Sequence, residues 1–84
     1  MDYSPQIWNQ LKNLTADQIV KALEKSGWKR DKGSGNIYVY LHPDKRRITI
    51  HYHPHKTYGA NLLKGLLKII NWSKDDLRKL KLIK

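Results

Sequence analysis

The 84-residue chain contains no cysteine. That absence excludes a disulfide framework, thiolate metal sites and a cysteine nucleophile, and it fits a cytoplasmic protein. Acidic residues are also scarce, 7 Asp and Glu against 17 Lys and Arg, which leaves a formal net charge of +10. No apolar run approaches the ~20 residues that a spanning helix needs. The first residues, Met1-Asp2-Tyr3-Ser4-Pro5, are polar and carry no secretory or lipidation pattern. No membrane partner is expected. Internal repeats, low-complexity stretches and linkers are absent as well.

A chain of this length is enough for one domain, which we place at 1–84, with 1–13 an N-terminal helical extension and 73–84 a C-terminal helix. Such a domain buries only about 60–65% of its unfolded surface, so its core is thin. Trp8, Trp28, Trp72 and the Leu/Ile runs are the anchors available to it. There is too little material to wall a deep cleft, so no small-molecule cofactor is expected and function should lie on a surface or shallow groove. The positive field extends about 8 Å into physiological saline. A polyanion is the economical partner.

Local signals give the element order. Ser4-Pro5 offers an N-cap with proline at the first helical position, predicting a helix to about Lys12. Thr15 and Gln18 have capping-box spacing ahead of the Ile19, Val20, Leu23 stripe, which Ser26-Gly27 ends. A short strand over Trp28–Asp31 and a Lys32-Gly33-Ser34-Gly35 turn follow. Asn36–His42 alternates, with Ile37, Val39 and Leu41 opposite Tyr38, Tyr40 and His42; Pro43-Asp44-Lys45 turns the chain. Arg47–His53 alternates again, with Ile48, Ile50 and Tyr52 opposite Thr49, His51 and His53, until Pro54 removes a ladder donor. An apolar helix over Leu62–Ile70 and a last helix capped by Ser73 complete the chain. The expected architecture is α+β: an α-β-β-β-α core, with helices on one face of a three-stranded antiparallel sheet.

Three of the four histidines fall in the run His51-Tyr52-His53-Pro54-His55-Lys56-Thr57-Tyr58. Histidine both takes and gives a proton near neutral pH. With Arg46, Arg47 and Lys56 close in sequence, the run suits grip of, or chemistry on, a phosphodiester. The blander reading is a solvated strand end. His-X-His also suits a metal, but no cysteine exists and no acidic residue lies nearby as a further ligand, so no metal is expected. The glycine turn, with Lys32, has the donors to cradle a phosphate but reads better as a plain turn. Tyr38 and Tyr40 would stack unpaired bases only if their face were open; alternating tyrosines are more often sheet packing.

On these residues the chain resembles the HicA (YcfA-like) family of bacterial toxins. The resemblance runs from about Thr15 to Lys81. It rests on Leu23-Glu24-Lys25-Ser26-Gly27-Trp28, the Gly33-Ser34 turn, His42-Pro43-Asp44-Lys45-Arg46-Arg47-Ile48-Thr49-Ile50, His53, Lys56 and Gly59. Leu63-Lys64-Gly65-Leu66-Leu67-Lys68 stands where the family has Leu-Arg-X-Ile-Leu-Lys. The resemblance implies a fold like that of double-stranded RNA-binding domains, metal-free cleavage of mRNA, and a HicB-like antitoxin protein as partner. One departure is plain. The family's catalytic histidine follows Gly-Ser at the start of strand two, and here that position is Gly35 if counted from Gly33-Ser34, or Ile37 if counted back from His42-Pro43.

The expected site therefore has His53, His51 and Lys56 as catalytic groups, with Arg46 helping Lys56 to stabilise the phosphorane. Lys29, Arg30, Lys32, Arg46, Arg47, His55, Tyr58, Lys64 and Lys68 are the expected RNA contacts. Two rival classes stand beside this one: a catalytically silent RNA-binding module, and an interaction domain that docks on an acidic protein.

Overall fold

The computed structural model describes residues 3–31 and 33–84. Lys32, and the first two residues of the N-terminal extension, lie outside the described residues. The elements run α1 (Pro5–Leu11), α2 (Ala16–Lys25), β1 (Lys29–Asp31), β2 (Ile37–Leu41), β3 (Arg47–His51), α3 (Ala60–Ile70) and α4 (Lys74–Lys79). The strands form one antiparallel sheet in the order β1-β2-β3. This is the expected α+β architecture with a core like that of double-stranded RNA-binding domains. No helix among the described residues is long and apolar enough to cross a membrane.

Helix starts follow the capping signals. Ser4 accepts from the Ile7 amide, and Pro5 opens α1 where its missing N–H costs nothing. Thr15 and Gln18 close a reciprocal capping box on α2, as Ser73 and Asp76 do on α4. The third strand is shorter than its alternation predicts, ending at His51 instead of His53. Tyr52 still donates to the Asn36 carbonyl, but His53 then begins a turn closed by the Lys56 amide on the His53 carbonyl, 3.0 Å. Pro54 occupies the position of that turn for which its fixed φ is suited.

Register settles which face is covered. Tyr38 pairs with Ile50 and Tyr40 with Ile48, and Ile48, Ile50 and Tyr40 are almost wholly buried. The tyrosine face thus lies under the helices, where Tyr40 donates to Glu24 (3.0 Å) and Tyr38 stacks on Tyr52 with ring centroids 4.5 Å apart. Burial, reinforced by the Glu24 carboxylate, pushes the Tyr40 phenol well above its usual range. Tyr40 is core, and Tyr38 and Tyr52 pack half-buried against it, so this face is sheet packing and not a base-stacking platform. On the opposite face Ile37, Leu41, Arg47, Thr49 and His51 are exposed, and only the central Val39 is buried among these six.

One buried cluster runs through all four helices and the sheet, from Ile7 and Leu11 through Leu23, Trp28, Tyr40 and Leu63 to Leu77 and Ile83. Residues near both ends of the chain are tied beside it: the Tyr3 hydroxyl donates to the Trp72 carbonyl, and the Lys84 amide to the Gln10 side chain.

Candidate RNA-processing site

The histidine run sits where β3 leaves the sheet, and the register fixes its neighbours. His51 pairs directly with Ile37 at the start of β2. Directly paired residues point to the same face with Cα atoms about 4.5–5.5 Å apart. His51 is therefore the cross-strand neighbour of Ile37 on the open face. Gly35, the alternative position for the family's histidine, lies before β2 in a turn with φ 61°. Ile37 is the position at the start of strand two.

Glycine is required nearby. A Cβ on Gly33 would stand 1.9 Å from the Ile37 carbonyl oxygen, so any side chain there displaces the first residue of β2. The Ile37 amide closes this turn on the Ser34 carbonyl, 3.1 Å. The turn is thus a close backbone approach serving the strand start, as the plainer sequence reading has it.

Several site candidates come together in the segment that follows β3. The turn brings His53 and Lys56 to its two ends. Tyr58 donates its hydroxyl to the His51 carbonyl at 3.2 Å, and burial raises its pKa to about 12, so the phenol stays protonated at neutral pH. His51, His53, His55 and Lys56 are all exposed to solvent. Among the described residues, no three His, Asp or Glu side chains gather closely enough to hold a metal ion.

The other cations are distributed differently. Arg46 lies at the opposite end of the β2–β3 hairpin, roughly 13 Å or more along the strand from His51. Its Nε donates to Asp44 at 2.7 Å and its Nη1 to the carbonyls of Ile69 and Ile70, which end α3. The guanidinium is engaged by the fold, at the end of the hairpin away from His51, His53 and His55. Arg47 opens β3 beside Leu41, at that same far end. Arg30 lies 3.6 Å over the Tyr38 ring, and Lys64 lies 5.2 Å from the Trp8 ring centre. Lys29 and Lys68 are exposed, on β1 and α3 respectively.

The fourth histidine, His42, keeps separate company. Its ring packs on Trp28 (centroids 5.1 Å), and its Nδ1 lies 3.0 Å from Asp44. With Ser26, Arg46, Asn71 and Asp76 it lines a small open cavity of about 160 Å³. This cavity is remote in the hairpin from the other three imidazoles.

Sequence reasoning missed two residues that hold the histidine segment. Tyr52 donates to Asp17 Oδ1 at 2.9 Å, and the Asp17 amide donates to the Pro54 carbonyl at 3.3 Å. They stand 35 positions apart, and no local pattern pairs them.

The structure is a basic α+β domain that carries exposed imidazoles where its third strand leaves the sheet. A family model described as HicA toxin of bacterial toxin–antitoxin matches residues 16–72. The chain belongs to the HicA toxin family. Members of that family are mRNA interferases, and membership brings with it an RNA substrate and an antitoxin partner in general terms. A search of curated proteins finds no match.

Proposed function

We propose that this protein is an endoribonuclease toxin that cuts mRNA in the cytoplasm without a metal and is held in check by a HicB-like antitoxin. One observation carries the reading: His51 is the direct cross-strand neighbour of Ile37, on the same face, so an imidazole reaches the region where the family's histidine would stand. One of His51 and His53 takes the proton from a ribose 2′-OH. The 2′-oxygen then attacks the adjacent phosphorus, the P–O5′ bond breaks, and the other histidine protonates the leaving 5′-oxygen. The products are a 2′,3′-cyclic phosphate and a 5′-hydroxyl. Lys56, at the far end of the His53 turn, stabilises the charge on the phosphorane. Arg46 is left out of that role because Asp44 and the end of α3 hold it elsewhere. Lys29, Arg47 and Lys68 supply exposed positive charge for the RNA backbone, His55 an exposed imidazole, and Tyr58 acts through the His51 carbonyl it holds.

The test is cleavage of a defined mRNA with chelator present, comparing wild type with His51→Ala and His53→Ala. Loss of general acid–base catalysis is expected to slow cleavage by about 10²–10⁴-fold while RNA binding persists. Ile37→His in the His51→Ala background should recover part of the lost rate. Equal cleavage by wild type and both variants would reject these two residues.

A second reading is favoured by the missing histidine itself. If no product forms while RNA is still retained in a gel shift, the protein is a silent RNA-binding module. If an acidic antitoxin-like protein binds and RNA does not, it is an interaction domain.

A further inference from the structure

The segment carrying His51, His53 and Lys56 contains no helix or strand after His51, yet it is tied at several points. Its attachment is the first turn of α2. A helix begins with amides that have no partner inside it. Here Thr15 Oγ1 takes the Gln18 amide, but the Ala16 and Asp17 amides donate outward to the carbonyls of Lys56 (2.9 Å) and Pro54 (3.3 Å). Thr15 and Thr57 form an isolated antiparallel bridge beside them. The tie is completed by the Tyr52 hydroxyl on Asp17 Oδ1, with the Tyr52 ring stacked at 10° on Tyr38 beneath the helices.

The geometry points to Asp17 and Tyr52 as positioning residues: their hydrogen bond clamps the exit of β3 to the first turn of α2 and so sets where His51 and His53 stand. This inference rests on the ribonuclease reading for its catalytic consequence, but the clamp itself is a structural statement. Tyr52 is half-buried on the helix side, and the residues on either side of it, His51 and His53, are both exposed. Releasing Tyr52 lets the last ladder position, His51 opposite Ile37, fray and frees His53, which already stands outside the strand. Asp17 does two jobs, since its amide holds the turn's Pro54 carbonyl while its carboxylate holds the phenol. Hydrogen bonds from Lys21 and Tyr52 keep that carboxyl below its ordinary range, so it stands as a carboxylate acceptor at neutral pH. The Lys21 contact, 3.0 Å and four residues along an exposed helix face, is no part of the clamp.

Two measurements on the full chain test this. Amide hydrogen exchange by NMR is expected to show slow exchange at Ala16, Asp17 and Lys56 in wild type. Tyr52→Phe, which keeps the ring stack, and Asp17→Ala should each speed these amides while leaving Leu23 and Ile50 as slow as before. In the cleavage assay both variants should lose about tenfold in kcat with KM unchanged, the signature of misplaced and not missing catalytic groups. Asp17→Asn retains an acceptor for the phenol and should restore most of the rate. Unchanged exchange in both variants overturns the clamp, as does a kcat loss that Asp17→Asn shares in full. If wild type shows no cleavage but the variants still loosen those amides, the ribonuclease reading falls and the clamp stands. If wild type cleaves and both variants match it, the positioning role of Asp17 and Tyr52 falls and the ribonuclease reading stands.

Discussion

Lys45 takes a backbone conformation that favours glycine, with φ 77° at the tip of the β2–β3 hairpin. Its amide closes the His42-Pro43-Asp44-Lys45 turn on the His42 carbonyl, and His42 and Arg46 resume the ladder directly afterwards. A three-residue hairpin loop of this kind ends on a left-handed residue. A side chain there costs about 1–2 kcal/mol, and glycine would return about 0.4–1 of that through unfolded-chain entropy. Lys45→Gly is therefore expected to stabilise by about 0.5–1 kcal/mol, raising Tm by roughly 2–8 °C in a domain of this size. Thermal unfolding followed by circular dichroism checks it; a lower Tm would mean that the lysine side chain contributes something its exposure does not suggest. The turn itself was legible from Pro43-Asp44, whereas the strained position was not, because Lys45 carries no turn signature.

At the scale of elements, the hairpin tip and the end of α3 are joined through Arg46. Its Nη1 reaches the Ile69 and Ile70 carbonyls, and Asp44 holds the same guanidinium from the other side. A cation at a helix C-terminus satisfies carbonyls that have no partner within the helix. The bond from Arg46 draws the Asp44 pKa down to about 2, against about 3.9 in an unfolded chain. The sign follows from that depression. The contribution is fully present above about pH 4 and is lost as pH falls through 2. Asp17 and Asp76 shift in the same direction, through Lys21 and through the Ser73 capping box. Tm should fall more steeply from pH 4 to pH 2 in wild type than in Asp44→Asn, and parallel curves would show that the Asp44 contact is idle. Sequence alone assigned Arg46 to RNA because it stood among other cations. Its partner within the fold, a helix end 23 positions away, exists only once α3 has docked on the sheet.

For the whole molecule, the family match covers residues 16–72, but the core does not stop there. Leu11 and Leu77, outside the match, are both fully buried, and Ile7 and Ile83 lie in the same cluster. Each fully buried aliphatic side chain contributes about 1.5–3 kcal/mol, a sum comparable with the whole stability of a small domain. A fragment confined to residues 16–72 is expected to lose cooperative unfolding, with exchange protection collapsing at Leu23 and Ile50; a cooperative transition in that fragment would contradict this. The net charge acts at the same scale. It makes any RNA affinity fall steeply with salt, and it sets no sequence preference.

The sequence by itself determined the helices, the hairpin and the fold class. Capping residues, period-two alternation and Pro43 act over a few neighbours, and their physics is complete within each segment. It also determined the family, through motifs that are contiguous. Tertiary structure alone decided which sheet face is covered, that His53 leaves the strand, and that Tyr52 reaches Asp17. Each of these depends on contacts between residues distant along the chain, where burial and hydrogen-bond satisfaction are settled by docking and not by local preference.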